Sequence, residues 1–182
     1  LGKSVLFIHS AGPQGNGEGS SGLVAHLEKS LEGYEVRSPP MPAPENPRYE
    51  EWKAVLKEEI FRMPDGALLI GHSIGGSALL KFFLEEEGDC RFDALISIAA
   101  PFWGIDKEWM KEDFTIAENA FLNRKHLPLL FLFHSLHDEV VPFRHLERYA
   151  EQLPDALIEC LDQNDHLFLQ GLPLLSKSIK NM

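Results

Sequence analysis

The sequence predicts an α/β fold, a doubly wound, mostly parallel sheet of about six strands with helices on both faces. Short apolar runs recur along the chain, amphipathic segments of helical period separate them, and turn-forming residues cluster just past the runs. Unbroken apolar runs suit strands covered on both faces, and their alternation with helices suits right-handed crossovers. In such sheets ligands bind beyond the carboxyl ends of the strands, so candidate functional residues belong just after them.

Taken in order, the expected strands are 4–9, 34–38, 67–71, 94–99, 129–134 and 156–161. Between the first two, Leu23, Val24, Leu27 and Leu31 form one helical stripe. Trp52, Val55, Leu56, Ile60 and Met63 form a second, and Asn46-Pro47 ahead of it suits an N-cap and first turn. Ile74, Ala78, Leu79, Phe82 and Phe83 make a third, and Phe143, Leu146, Ala150 and Leu153 a fourth. His145, on that fourth helix, is expected to be exposed. Residues 101–126 exceed a plain crossover, carry several aromatic side chains, and are expected to contain a helix overhanging the site. Residues 167–180 are expected to be helical, with Pro173 as an interruption.

Two loops stand out. Residues 11–22 are glycine-rich, and residues 39–47 hold five prolines, a stiff extended connection. The glycine-rich loop is not a nucleotide cradle: it lacks the third glycine of G-x-G-x-x-G and any Gly-Lys-Ser/Thr ending, and Glu18 would repel phosphate. It is expected to let backbone approach the site.

A chain of 182 residues fits one domain, 1–182, with no repeat, no linker and no insertion large enough for a lid domain. Its 28 Asp and Glu against 17 Lys and Arg leave a net charge of −11, which argues against nucleic acid and an anionic membrane surface as partners. No run approaches the roughly 20 apolar residues of a membrane span, and the start lacks the apolar stretch of a signal peptide, so cytoplasm is the expected compartment. Cys90 and Cys160 have no metal-ligand spacing and are expected to be free thiols. The eight histidines show no H-E-x-x-H or similar cluster, so no metal and no cofactor is expected.

The motif that carries chemistry is Gly71-His72-Ser73-Ile74-Gly75, a G-x-S-x-G that follows an apolar strand and opens an amphipathic helix. In that setting the serine sits on a strained turn with its hydroxyl exposed above the sheet, the nucleophile elbow of the α/β-hydrolase fold. A serine hydroxyl needs a base, and in this fold an acid and then a histidine follow it in chain order. Asp138 lies a short loop past the fifth strand. Glu139 is the neighbouring alternative, and capping the helix near Pro142 is a purely structural role open to Asp138. His166 follows the last strand and is the histidine the order selects. The oxyanion donors expected are the N–H of Ile74 and, from the loop after the first strand, that of Ala11, with Ser10 next to it. Ser10, His72, Phe102 and Trp103 are candidates for the substrate pocket, although buried core would serve the two aromatic residues equally well.

These segments, with the proline-rich 41–47 followed by Trp52, the run His137-Asp138-Glu139-Val140-Val141-Pro142 and Asp165-His166-Leu167-Phe168, resemble the small single-domain serine hydrolases that include a human retinoblastoma-binding protein and bacterial relatives. The resemblance covers essentially the whole chain. It implies hydrolysis of a small ester-like substrate (a carboxylic ester, thioester or amide) through Ser73, Asp138 and His166 and an acyl-enzyme. Two departures stand out. The first-strand loop reads His9-Ser10-Ala11-Gly12 where His-Gly is frequent, and neither cysteine has the Leu-x-Cys-x-Glu setting of the family's reported protein interaction, so no protein partner is implied. The rival reading is a catalytically silent interaction module on the same fold.

Overall fold

The computed structural model describes residues 3–86 and 91–182. All six expected strands form: β1 (Lys3–Ile8), β2 (Tyr34–Arg37), β3 (Leu68–His72), β4 (Ala94–Ile98), β5 (Leu129–Ser135) and β6 (Leu157–Leu161). They make one sheet in the order β2-β1-β3-β4-β5-β6, with every neighbouring pair parallel. β3 and β4, near the centre, are buried at every residue, as their unbroken apolar runs require.

Among the described residues four α-helices connect strands, α1 (Ser21–Ser30), α2 (Tyr49–Arg62), α3 (Ile74–Glu85) and α4 (Arg144–Gln152), and a fifth, α5 (Pro173–Lys180), follows β6. Alternate strand residues divide between two cores. Leu6, Ile8, Leu69 and Leu95 face the side covered by α2, α3 and α4, where Trp52, Leu79 and Leu146 pack. Val5, Phe7, Ile70 and Ile96 face α1 and α5, through Leu27, Leu175 and Ile179. The chain reverses its winding direction between β1 and β3, and the crevice that this opens lies at their carboxyl ends.

Four local expectations are corrected. α2 begins at Tyr49, not at Asn46-Pro47, and its first N–H is capped from a distance by Asp113 Oδ2 at 2.9 Å. Residues 101–126 form no α-helix but two 3₁₀ stretches, Glu112–Phe114 and Glu118–His126. They lie along α3, tied by Lys81 Nζ to the Thr115 carbonyl (2.6 Å), Glu85 to the Ala117 N–H (2.9 Å) and Asn123 to the Leu84 carbonyl (2.8 Å). Pro173 starts α5 instead of interrupting a helix, since the first turn needs no N–H from it. His145 is completely buried: the loop after β4 folds over α4, the Phe102 N–H donates to His145 Nδ1 at 2.9 Å, and Trp109 packs edge-on at 4.4 Å.

Cys160 is an exposed free thiol on β6, whereas Cys90 lies outside the described residues. Among the described residues no helix is long and apolar enough to cross a membrane.

Candidate active site

The turn from β3 into α3 is held by glycines because backbone passes too close for any side chain. A Cβ at Gly71 would lie 2.5 Å from the Gly75 carbonyl oxygen, and one at Gly75 would lie 2.5 Å from the carbonyl oxygens of both Ile8 and His9. Between them Ser73 has φ 53° and ψ −126°, a conformation L-residues avoid, and its N–H is fixed to the Ile98 carbonyl at 2.7 Å. This strained turn presents Ser73 Oγ above the carboxyl edge of the sheet.

His166 reaches it from the loop after β6. Its Nε2 is 3.2 Å from Ser73 Oγ, and its Nδ1 is 2.8 Å from Asp138 Oδ2. Asp138, from the loop after β5, accepts the N–H groups of Val140 and Val141 on its other oxygen, each at 2.8 Å. The capping role and the role towards His166 therefore coexist on one carboxylate. Burial opposes the charge of Asp138, but the His166 hydrogen bond and the two backbone N–H groups outweigh it and hold the pKa below the ordinary aspartate value. Glu139 is exposed and takes no part.

The loop carrying His166 is over-determined. Asp165 Oδ1 accepts the N–H groups of Leu167 and Phe168 at 3.0 Å each, and Ser135 Oγ donates to the Asp165 carbonyl at 2.5 Å. Phe168, fully buried, is held at φ 52°. From below, His72 Nε2 is 2.7 Å from the His166 carbonyl oxygen. That bond places the proton of His72 on Nε2, leaving Nδ1 to accept from Ser20 Oγ at 2.8 Å. Burial, and then the neighbouring His166, push the His72 pKa down to about 3, so the ring stays neutral.

Sequence reasoning brought Ser73, Asp138 and His166 together but did not identify this support. His72 and Ser10 face inward. His72 has no exposed surface, and Ser10 is engaged with Ser20, its N–H donating to Ser20 Oγ at 2.8 Å. Ser20 stands at the N-cap of α1 yet caps nothing, because its hydroxyl is drawn into this network. In the same loop the Gly12 N–H donates to the Pro44 carbonyl at 2.8 Å. With the Ser10 and Gly12 N–H groups engaged, Ala11 lies between them on an exposed stretch, and Ile74 is the first helical residue of α3, where an N–H has no partner within the helix. Phe102 and Trp103 are half-buried. Phe102 stacks on Phe121 at 5.9 Å and Trp103 leans on Trp109 at 5.6 Å, so both contribute to the core beneath the loop.

The fold is that of α/β hydrolases. The chain superposes on the ydeN gene product of B. subtilis with a TM-score of 0.81 and 20% identity, over 98% of this chain and 97% of that one. It superposes on an esterase domain from a Rhodothermus marinus protein with a TM-score of 0.70 and 20% identity, over 98% and 85% of the two chains. A thioesterase domain from the curacin biosynthetic pathway gives 0.72 and 13% identity, over 98% and 91%. No curated protein matches the sequence. The serine hydrolase family model matches residues 23–171, which include the elbow, Asp138 and His166, and the chain belongs to that family.

Proposed function

We propose that the protein hydrolyses carboxylic esters by two-step acyl transfer through Ser73, His166 and Asp138. The observation that carries this reading is the unbroken chain from Asp138 Oδ2 through both imidazole nitrogens to Ser73 Oγ. His166 Nε2 takes the Ser73 proton as Oγ attacks the carbonyl carbon, and Asp138 holds the proton on Nδ1 and stabilises the imidazolium. The N–H groups of Ile74 and Ala11 face the developing oxyanion. The tetrahedral intermediate collapses as His166 returns the proton to the leaving alcohol. Water, deprotonated by His166, then attacks the acyl-enzyme, and the carboxylic acid departs with Ser73 restored.

The Ser73–His166 distance of 3.2 Å is at the long end for such a bond, which is usual before substrate closes the site. An esterase domain, a thioesterase domain and carboxylesterases of an ammonia-oxidising archaeon stand among the structural neighbours, beside meta-cleavage product hydrolases, and the ester reading accords with the first three. A series of p-nitrophenyl esters of increasing acyl length tests the reading. Turnover by the wild type and background rates for Ser73→Ala and His166→Ala are expected. Failure of folded wild type to turn over any member would overturn the esterase reading.

A further inference from the structure

β5 sends alternate side chains to the two cores, Leu130 and Leu132 to the side of α3 and α4, Phe131 and Phe133 to the other. The next position on the α4 side is His134, which is 1% exposed and borders a narrow space with Leu132, Leu146 and Tyr149. An aliphatic residue would satisfy the packing there, and the hydrolytic chemistry makes no direct use of this imidazole.

The ring points at the loop that carries Asp138. Its Nε2 is 2.8 Å from the Val141 carbonyl oxygen and 3.7 Å from Asp138 Oδ2. A carbonyl only accepts, so the ring proton is on Nε2. Burial lowers the His134 pKa, against the Val141 carbonyl and Asp138, which raise it, so at neutral pH the ring is uncharged. Its N–H donates to Val141. Towards Asp138 the distance is too long for a hydrogen bond, and the positive end of the N–H dipole simply faces the oxygen that accepts from His166 Nδ1.

Val141 is gripped on both sides, its N–H donating to Asp138 Oδ1 at 2.8 Å and its carbonyl accepting from His134. Glu139 and Val140 are exposed while Val141 is buried, so the loop is anchored from beneath. The anchor itself is firm. β5 is paired on both sides, and Phe143 packs edge-on against the imidazole at 5.9 Å.

We propose that His134 is a positioning residue, holding the Asp138 carboxylate in line with His166 Nδ1 through the Val141 carbonyl. This rests on the reading of Ser73, His166 and Asp138 as the hydrolytic site. A free neutral imidazole favours its proton on Nε2, and Asp138 reverses that preference in His166. A carboxylate that drifts by about 1 Å loses its hold, and His166 relaxes to the tautomer that cannot take the Ser73 proton.

The test reads the tautomers of both rings from long-range ¹H–¹⁵N correlations of the ¹⁵N-labelled protein, at a pH where they are neutral and without substrate. In the wild type His134 is expected to carry its proton on Nε2 and His166 on Nδ1. In His134→Leu the His166 proton is expected to move towards Nε2. His134→Gln, whose amide nitrogen reaches the place of the lost Nε2, is expected to restore it to Nδ1. With the p-nitrophenyl ester that the wild type turns over fastest, His134→Leu is expected to lower kcat about 10- to 100-fold with KM little changed, and His134→Gln to recover most of the loss. A wild-type His134 protonated on Nδ1, or a folded His134→Leu that keeps the wild-type tautomer of His166, would overturn the proposal. Should His134→Leu not fold, His134→Asn takes its place, since its amide stops a bond short of the Val141 carbonyl. Wild type that turns over no ester ends the esterase reading alone, and the tautomers still decide the role of His134.

Discussion

Ser73 combines a positive φ with a hydroxyl in hydrogen-bond contact with an imidazole, and nothing in packing requires both. The strain is offset by the surrounding glycine contacts and by the bond to Ile98, which supports a role for the residue in chemistry. Ser73→Ala is expected to reduce kcat on an ester by about 10⁴-fold or more with the fold unchanged. Asp138→Asn keeps the shape but reverses the preferred tautomer of His166, and a loss of about 10⁴-fold in kcat is expected. Circular dichroism of both variants beside the kinetics separates lost chemistry from lost structure. His72 acts one step removed, through the His166 carbonyl. His72→Leu is expected to lower kcat by about 10- to 100-fold with KM little changed, as misplacement of the base by about 1 Å would do. A change in KM alone would assign His72 to substrate contact.

At the level of elements, the site is a set of loops held by close backbone packing. α3 crosses β1 where Gly75 meets the Ile8 and His9 carbonyls, and neither strand nor helix can withdraw there. Gly75→Ala is expected to destabilise the fold by about 3 kcal/mol or more, read from the urea midpoint, whereas Gly33→Ala, with open space around it, costs only its backbone strain. The strands and the convergence of Ser73, Asp138 and His166 were legible in the sequence, because buried parallel strands leave unbroken apolar runs and because chain order constrains which acid and histidine can follow the serine. The 101–126 segment was not, since its turns are held by bonds between side chains and backbone, in both directions across the contact with α3, that leave no periodic trace. His145 was misread for the same reason: its burial comes from that irregular loop and not from the sheet. Nor could the sequence reveal that Ser20 leaves its capping position to join Ser10 and His72.

Across the whole molecule, the buried neutral histidines couple stability to pH. Burial, and then Arg144, lower the His145 pKa to about 4, and burial lowers that of His72 to about 3. In the unfolded chain both rings titrate near 6.5, so below that pH the unfolded state binds more protons than the native one. The stabilisation is complete above about pH 6.5 and is lost as the pH falls towards 4 for His145 and 3 for His72. Asp138, held below its ordinary value, adds a loss at the acid end of the range. Between pH 7 and pH 5 each ring is expected to cost about 2 kcal/mol. Urea unfolding at the two pH values reads this directly, and an unchanged midpoint would mean that the rings are not buried neutral.

The central claim is an activated serine at the β3–α3 elbow, and covalent labelling by a fluorophosphonate tests it without knowledge of the substrate. The wild type is expected to take up one equivalent at Ser73, located by peptide mass, while Ser73→Ala takes up none and His166→Ala is strongly slowed. Folded wild type that stays unlabelled, or labelling that persists in Ser73→Ala, would contradict the account.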